Sequence, residues 1–327
     1  MTSKENFKIR VRFWGTSGSI PTALPIRELE EKIIRALLLS KGRSLTEYEE
    51  ARLFVQNLPF LIRGTFYGNS SCAELLIPDG PIILLDAGSG LRQAGLDIVK
   101  RPEFQKGSKT IHLFLSHLHW DHIQGFPFFT PAYFPDATIR IYGFHQDLEK
   151  AFQNQQQAVH FPVTLQSLPA KLEFITLPPG ESLRIGSVEV QGRPQNHPGN
   201  SFAYRLNVSG KRFVYASDAE YQQEELDHPE AILDFFHQAD LVVFDAQYTL
   251  VENIVDKMNW GHSNVLVGIE LATDAQVKTI AFTHHEPTHN DSFKEAVLNK
   301  ALQYAQLYRD DNPLKIVLAY DGLELEL

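Results

Sequence analysis

Cysteine is almost absent from this 327-residue chain, where Cys72 stands alone. One thiol excludes an internal disulfide framework and any cysteine-built zinc site, so a metal would have to be held by His, Asp or Glu. No apolar run approaches the roughly 20 residues needed to cross a bilayer, which argues against a membrane role. Met1 to Arg10 is polar and of mixed charge, without the apolar centre of a secretion signal, so the expected location is the cytoplasm. Long Lys/Arg clusters are missing and the formal net charge is −10. A protein that tracks many phosphates usually carries a basic face. The acidic balance therefore disfavours a long nucleic-acid substrate. Linkers and short-period repeats are also missing. With 43% hydrophobic and 21% charged residues, the chain has the profile of a globular protein able to bury a full core. A single domain spanning 1–327 is expected.

What the chain does have is a concentration of metal-ligand side chains. Ser116-His117-Leu118-His119-Trp120-Asp121-His122 follows the apolar run Ile111–Leu115. Imidazole nitrogens and carboxylate oxygens are the donors that Zn²⁺ and similar divalent ions prefer. A strand ending in a tight loop turns the alternate residues His117 and His119 toward one point. A helix starting next aims Asp121 and His122 at a second point nearby. One segment could thus serve two metals, as two-metal hydrolysis requires. A histidine-rich loop of no consequence is the bland alternative, and four donors at this spacing make it a poor one.

Elsewhere the pattern alternates many strands with a few helices. Phe7 to Trp14 has the period of a half-buried strand and runs into Gly15-Thr16-Ser17-Gly18-Ser19, a loop that could lie near a substrate phosphate but lacks the Lys-Ser/Thr ending of a nucleotide P-loop, and taken alone reads as a plain turn. Residues 27–40 carry one apolar helical stripe, and Ser44-Leu45-Thr46-Glu47 predicts the cap of a second helix running toward Pro59. This helical insertion, 25–65, could cap the site, form a dimer contact or pad the surface. Strands are predicted over 71–77, 81–85, 109–115, 138–142, 171–176 and 188–192. An aromatic helix is predicted around Phe126 to Phe134 and a polar one over 147–160. Phe202–Leu206 and Arg212–Tyr215 read as a hairpin across Ser209-Gly210. Further strands are predicted over 241–244, 277–282 and 315–319, with helices from Ser263 to about Thr273 and from Ser292 to Tyr308.

One regularity organises these elements. Asp86, the His117 cluster, His197, Asp218, Asp245 and His284 each follow the C-terminal end of a predicted strand. Side chains on rigid strand ends converge on a site more reliably than those scattered over loops.

In that order, the residues resemble the metallo-β-lactamase superfamily, from Val11 to about Asp291 with only the helical insert outside the likeness. The resemblance implies an α/β, four-layer αββα sandwich. It also implies a ligand set: His117, His119 and His197 for one metal, Asp121, His122 and a late histidine for the other, and Asp218 shared between them. Two divalent ions are implied, Zn²⁺ first, with Mn²⁺ or Fe as alternatives. The Thr-His-x-x-Pro spacing favours His284 over its neighbour His285 as the late ligand. Asp86 would orient a metal-bound histidine from behind.

Phe13-Trp14-Gly15-Thr16-x-Gly18-Ser19-x-Pro21-Thr22, Phe244-Asp245-Ala246 and Gly261-His262-Ser263 are similar to the phosphodiesterase branch, which includes the tRNA 3′-processing endonucleases. What this implies is hydrolysis of a phosphodiester by a metal-bridging hydroxide, with Asp121 orienting the nucleophile. His262, held by Asp245, would act on the leaving group. No segment reads as the Gly/Pro-rich tRNA-gripping arm of that branch, so a small diester such as a cyclic nucleotide is the first expectation. An endoribonuclease is the second, and a lactone or thioester hydrolase a weaker third. A non-catalytic binding module would leave the complete ligand set without a purpose. His112, His145, His160, His228 and His237 lack such context and read as structural or exposed, while His289 stays open.

Overall fold

The computed structural model describes residues 8–327; Phe7, where the first predicted strand begins, lies outside them. Period-2 and fully apolar segments pair into two seven-stranded sheets. The first contains β1 (Arg10–Gly15), β2 (Cys72–Leu76), β3 (Ile82–Leu85), β4 (Thr110–Phe114), β5 (Thr138–Gly143) and β6 (Lys171–Thr176). The second contains β7 (Ser182–Ile185), β8 (Val188–Gln195), β9 (Ser201–Val208), β10 (Lys211–Ala216), β11 (Leu241–Asp245), β12 (Thr279–Thr283) and β13 (Lys315–Leu318). A last strand, β14 (Glu324–Glu326), returns to the first sheet beside β1, and the orders are β14-β1-β2-β3-β4-β5-β6 and β13-β12-β11-β10-β9-β8-β7. Strands β3 to β6 and β10 to β13 run parallel, the remainder antiparallel.

Val11, Phe13, Leu75, Leu85, Tyr204 and Val243 belong to the apolar layer between the sheets. The helix Gly90–Ile98 covers the outer face of the first sheet through Leu91, Ala94 and Ile98. Val265–Asp274 and Asp291–Tyr308 cover the second through Ile269, Ala272 and Ala301. The result is the four-layer αββα sandwich, in which parallel strands are buried on both faces and so read as continuous apolar runs. No helix among the described residues is long and apolar enough to cross a membrane.

Three helices lie between β1 and β2: α1 (Ile26–Leu39), α2 (Tyr48–Gln56) and α3 (Phe60–Arg63). The cap predicted at Ser44 does not form. Instead α2 starts at Tyr48 with Glu47 as a cap that makes no side-chain bond. The aromatic helix expected at 126–134 is also corrected. Pro127 and Pro131 supply no backbone N–H, and the stretch breaks into two 3₁₀ turns, Phe126–Phe128 and Thr130–Tyr133.

Asp321 ties the end of this fold to its beginning. Its carboxylate accepts from the Asn69 backbone N–H at 2.8 Å, from Asn69 Nδ2 at 2.9 Å and from Thr16 Oγ1 at 3.3 Å. Burial dominates these bonds and pushes its pKa up from 3.8 to about 6. An acid raised in the folded state binds its proton there more tightly than in the unfolded chain. Its contribution to stability therefore falls as pH rises between about 4 and about 6 and stays low above that. Asp321→Asn should remove this step. The wild-type-minus-variant difference in urea unfolding free energy should decline by on the order of 2–3 kcal/mol across that window. A flat difference would contradict the assignment.

Candidate metal centre

Strand ends of both sheets, all but β8 in the parallel parts, deliver the donors to one edge of the sandwich. Asp86 follows β3, the 116–122 segment follows β4, and His197 follows β8. Asp218 follows β10, Asp245 ends β11 and His284 follows β12. Three of these strand exits turn through the left-handed region: Asp86 at φ 61°, Asp218 at 44° and His284 at 58°. Asp and His tolerate that region better than most residues, and such strain gathers where a site demands a side-chain direction that a relaxed exit would not give.

Two groups of donors form. His117, His119 and His197 bring one ring nitrogen each within 4.8 Å of one another, and Asp121, His122, Asp218 and His284 do so with one ring nitrogen or carboxylate oxygen each. In the first group His197 Nε2 lies 3.1 Å from His119 Nδ1. In the second, His122 Nε2 is 3.3 Å from Asp121 Oδ2 and His284 Nε2 is 3.1 Å from it. Asp218 Oδ2 stands between the groups, 3.2 Å from His284, 3.3 Å from His122, 3.6 Å from His117 and 3.8 Å from His197.

The donor set fits divalent cations. His117 Nε2 and His122 Nε2 are buried without a hydrogen-bond partner, a costly arrangement for a polar atom unless something else is held there. Burial lowers the pKa values of His117, His119 and His197, keeping these rings neutral as ligands must be. In the second group the carboxylates win. Burial opposes charging His284, yet Asp218, Asp121 and Asp245 outweigh it and push it up to about 9. His122 is raised in the same way, by Asp218, Asp121 and Asp86 against its burial. Asp121 and Asp218 are held well below the usual carboxylate range despite burial. A concentration of negative charge that protonates its own histidines is a site that a cation can take over.

The outer nitrogens of the rings are fixed from behind. His122 Nδ1 donates to Asp86 Oδ2 at 2.8 Å, His197 Nδ1 to the Gly261 carbonyl at 2.7 Å, and His284 Nδ1 to Gln247 Oε1 at 3.0 Å. Such bonds set the tautomer and aim the other nitrogen inward. Gly261 adopts φ +86°, and a Cβ there would lie 2.3 Å from His197 Nδ1, so only glycine brings its carbonyl this close.

His262 sits beside both groups, with its Nδ1 2.8 Å from Asp245 Oδ2. One of its donor atoms shares a 4.8 Å cluster with His197 and Asp218, and its ring stacks on His284 at 4.8 Å between centroids. His285 points elsewhere. It is buried against Phe66, and its Nε2 donates to the Ala319 carbonyl at 2.7 Å. Burial, helped by Lys294, lowers its pKa to about 3. Of the adjacent pair, His284 is the one brought into the cluster. His289 is occupied by Glu252 Oε1 at 2.8 Å.

Several participants escape a reading of the sequence alone. The Gly15–Ser19 turn is part of the site: Ser19 N–H donates to Asp121 Oδ2 at 2.9 Å. A Cβ on Gly18 would lie 2.6 Å from His284 Nδ1. Gln247 also spans from His284 to Glu286 Oε2, at 2.9 Å. Ser116, adjoining the histidine cluster, donates its backbone N–H to Asp86 at 2.7 Å. Only the Gly-Thr-Ser-Gly-Ser composition of the turn offered any local signal.

Comparisons with known proteins match the fold. The chain is 23% identical to the Ribonuclease Z of Haloarcula marismortui over 368 aligned positions, covering 97% of this chain and 96% of that one. The metallo-β-lactamase fold protein YhfI from Bacillus subtilis superposes with a TM-score of 0.64 at 18% identity, covering 98% of this chain and 100% of that one. A diphosphatase of the PhnP family superposes with a TM-score of 0.61 at 18% identity, covering 98% of each chain. A family model described as the beta-lactamase superfamily domain matches residues 82–285, from β3 through both donor groups. This chain belongs to the beta-lactamase superfamily.

Proposed function

We propose that this chain is a two-metal phosphodiesterase acting on a compact diester, a cyclic nucleotide or a substrate of similar size. The observation that carries the reading is the His262–Asp245 pair set against the donor cluster. His117, His119 and His197 would hold one ion, Asp121, His122 and His284 the other, with Asp218 shared. When bound, two divalent ions supply a nucleophile from water near neutral pH and offset charge on phosphoryl oxygens. Asp121, fixed by the Ser19 amide, orients the nucleophile. Asp245 holds Nδ1–H of His262, and the doubly protonated ring carries a second proton on Nε2 to give to the departing alkoxide, returning to the neutral Nδ1–H form. A carbonyl substrate with a good leaving group has less need of that proton.

Exposed aromatic surface beside the donors supports a base-bearing diester. Trp120, between His119 and Asp121, is 80% exposed, and Trp260, next to Gly261, is 55% exposed with Lys257 Nζ 3.7 Å from the ring centroid. Flat rings offer stacking to a nucleobase, and Lys257 adds a cation for a phosphate. The similarity to a Ribonuclease Z across nearly the whole length of both chains favours a second reading, cleavage of precursor tRNA. The net charge of −10 favours the smaller substrate.

Protein purified without chelator should contain close to two ions per chain by the ligand count. It should hydrolyse bis(p-nitrophenyl) phosphate and at least one cyclic or short linear diester. Preference for precursor tRNA would replace the first reading with the second. Turnover confined to lactones or thioesters, or no metal uptake after reconstitution with Zn²⁺ or Mn²⁺, would sink both.

A further inference from the structure

Given the phosphodiesterase reading, on which this assignment rests, we propose that Trp260 is the platform for the base of the leaving group. The ester bond cleaved is then the one between phosphorus and a nucleoside oxygen. The segment from Thr249 to Gly261 is built around His262. It contains a π-helical turn, Glu252–Asp256, a rare form that gathers at functional sites. Asn253 Nδ2 donates to the His262 carbonyl at 3.0 Å. Glu252 accepts from the Thr249 amide at 2.7 Å and from His289 Nε2 at 2.8 Å. Further on, the buried Glu220 carboxylate accepts from the Asn259 and Gly261 amides, both at 2.9 Å. One carboxylate thus clamps the backbone on either side of Trp260, and the Gly261 carbonyl in turn accepts from His197 Nδ1.

The backbone is fixed while the indole stands outward, 55% exposed. A chain of contacts places that ring on the side of the acid. The Tyr248 ring packs edge-on against His262 at 5.5 Å between centroids. Lys257 Nζ lies 6.0 Å from the Tyr248 centroid and 3.7 Å from that of Trp260. Trp260 therefore belongs with His262 and the departing oxygen, whereas Trp120 lies in the chain between the donors His119 and Asp121. Lys257 covers one face of the indole and leaves the other for a base, whose own flat face stacks there. A cation behind the ring draws π density toward itself and favours an electron-rich partner in front, a purine before a pyrimidine. In the step itself, the oxygen of water bonds to phosphorus as it gives up a proton. The P–O bond to the nucleoside breaks with its electron pair, and the alkoxide takes the Nε2 proton of His262. The products are a nucleoside and the phosphomonoester of the other alcohol.

The methyl phosphate diesters of 2′-deoxyadenosine, at its 3′ or its 5′ oxygen, test the direction without any variant, because methoxide and a nucleoside alkoxide are leaving groups of similar quality. From the better of the two, the metal-loaded wild type should release deoxyadenosine and methyl phosphate. Release of deoxyadenosine monophosphate and methanol instead would overturn the proposal and leave the phosphodiesterase reading standing. Hydrolysis of no diester at all would remove both. Trp260→Ala supplies a second readout. The wild-type preference, in kcat/KM, for that ester over an abasic analogue with hydrogen in place of adenine should fall by roughly 5- to 150-fold, the range for losing one base–aromatic stack. Trp260→Phe, which keeps a flat ring, should retain most of the preference. The wild type should also favour the deoxyadenosine ester over its thymidine counterpart. An unchanged preference in Trp260→Ala, or faster turnover of the thymidine ester, would each overturn the assignment.

Discussion

A His262→Ala protein should keep the metal content of the wild type and turn over an unactivated phosphodiester roughly 10²–10⁴-fold more slowly, the range for losing a general acid. Metal content should hold because His262 stands beside the two donor groups, while the seven other donors supply enough ligands for both ions. Turnover should fall because the ring is committed to one orientation. Asp245 accepts from its Nδ1 at 2.8 Å and is itself pinned by the Ala219 and Gln247 backbone amides, each at 3.1 Å. The carboxylate cannot swing away, so it keeps one proton on Nδ1 and aims Nε2, which acts as an acid in the doubly protonated ring. Substrate choice separates this role from general damage. A p-nitrophenolate leaving group departs without a proton, so the loss on bis(p-nitrophenyl) phosphate should be far smaller than on an alkoxide-leaving diester. Equal losses on both substrates, with metal retained, would remove the acid role.

Most of the donors were legible because they follow an apolar run, and a run that ends in Asp or His marks the exit of a buried strand; His197, after the mixed stretch Val188–Asn196, is the exception. The 116–122 segment, Phe244-Asp245 and Thr283-His284 all have this form, and their order along the chain is enough to name the fold. Contacts made across long sequence separations were not legible. Ser19 reaches Asp121 across 102 positions and Tyr215 reaches Asp86 across 129, so no local window contains either pair. β14 is three residues long and exists as a strand because β1 is there to receive it. Periodicity identified α1 as a helix with an apolar stripe but could not say that the stripe would face outward, leaving Ile33 and Leu37 exposed. That depended on Tyr67, Gly64 and Asp291, whose bonds to Glu28 and Lys32 hold the polar side inward. Residues 126–134 show the converse error, where an aromatic-rich segment was expected to be one helix and Pro127 and Pro131 break it into two 3₁₀ turns.

Asp86→Ala should cost the fold on the order of 3–5 kcal/mol and, separately, lower metal affinity by roughly 10–100-fold. Asp86 is fully buried and lies behind His122, outside the donor groups. Its carboxylate accepts from the Ser116 backbone N–H at 2.7 Å, from Ser116 Oγ at 2.8 Å, from Tyr215 Oη at 2.9 Å and from His122 Nδ1 at 2.8 Å. These donors come from both sheets, so one side chain joins the two halves of the sandwich directly beneath the site. Alanine would leave the Ser116 amide and the Tyr215 hydroxyl buried without acceptors, and an orphaned buried donor costs more than the bond it lost was worth. The Tyr215 hydroxyl cannot adapt by ionising, since its burial alone pushes its pKa up. Metal affinity should drop for a different reason: His122 loses the partner that fixes its tautomer and is free to turn Nε2 away from Asp218. Urea unfolding with and without chelator separates the two effects. A loss of stability that persists in chelator belongs to the hydrogen-bond network, whereas a competition titration reads the change in affinity. Should the metal-free variant unfold at the wild-type midpoint, the link between the sheets would have to lie elsewhere. Asp86→Asn should fall between wild type and Asp86→Ala, because it keeps one acceptor oxygen while turning an amide N–H₂ toward donors that have nothing to offer it.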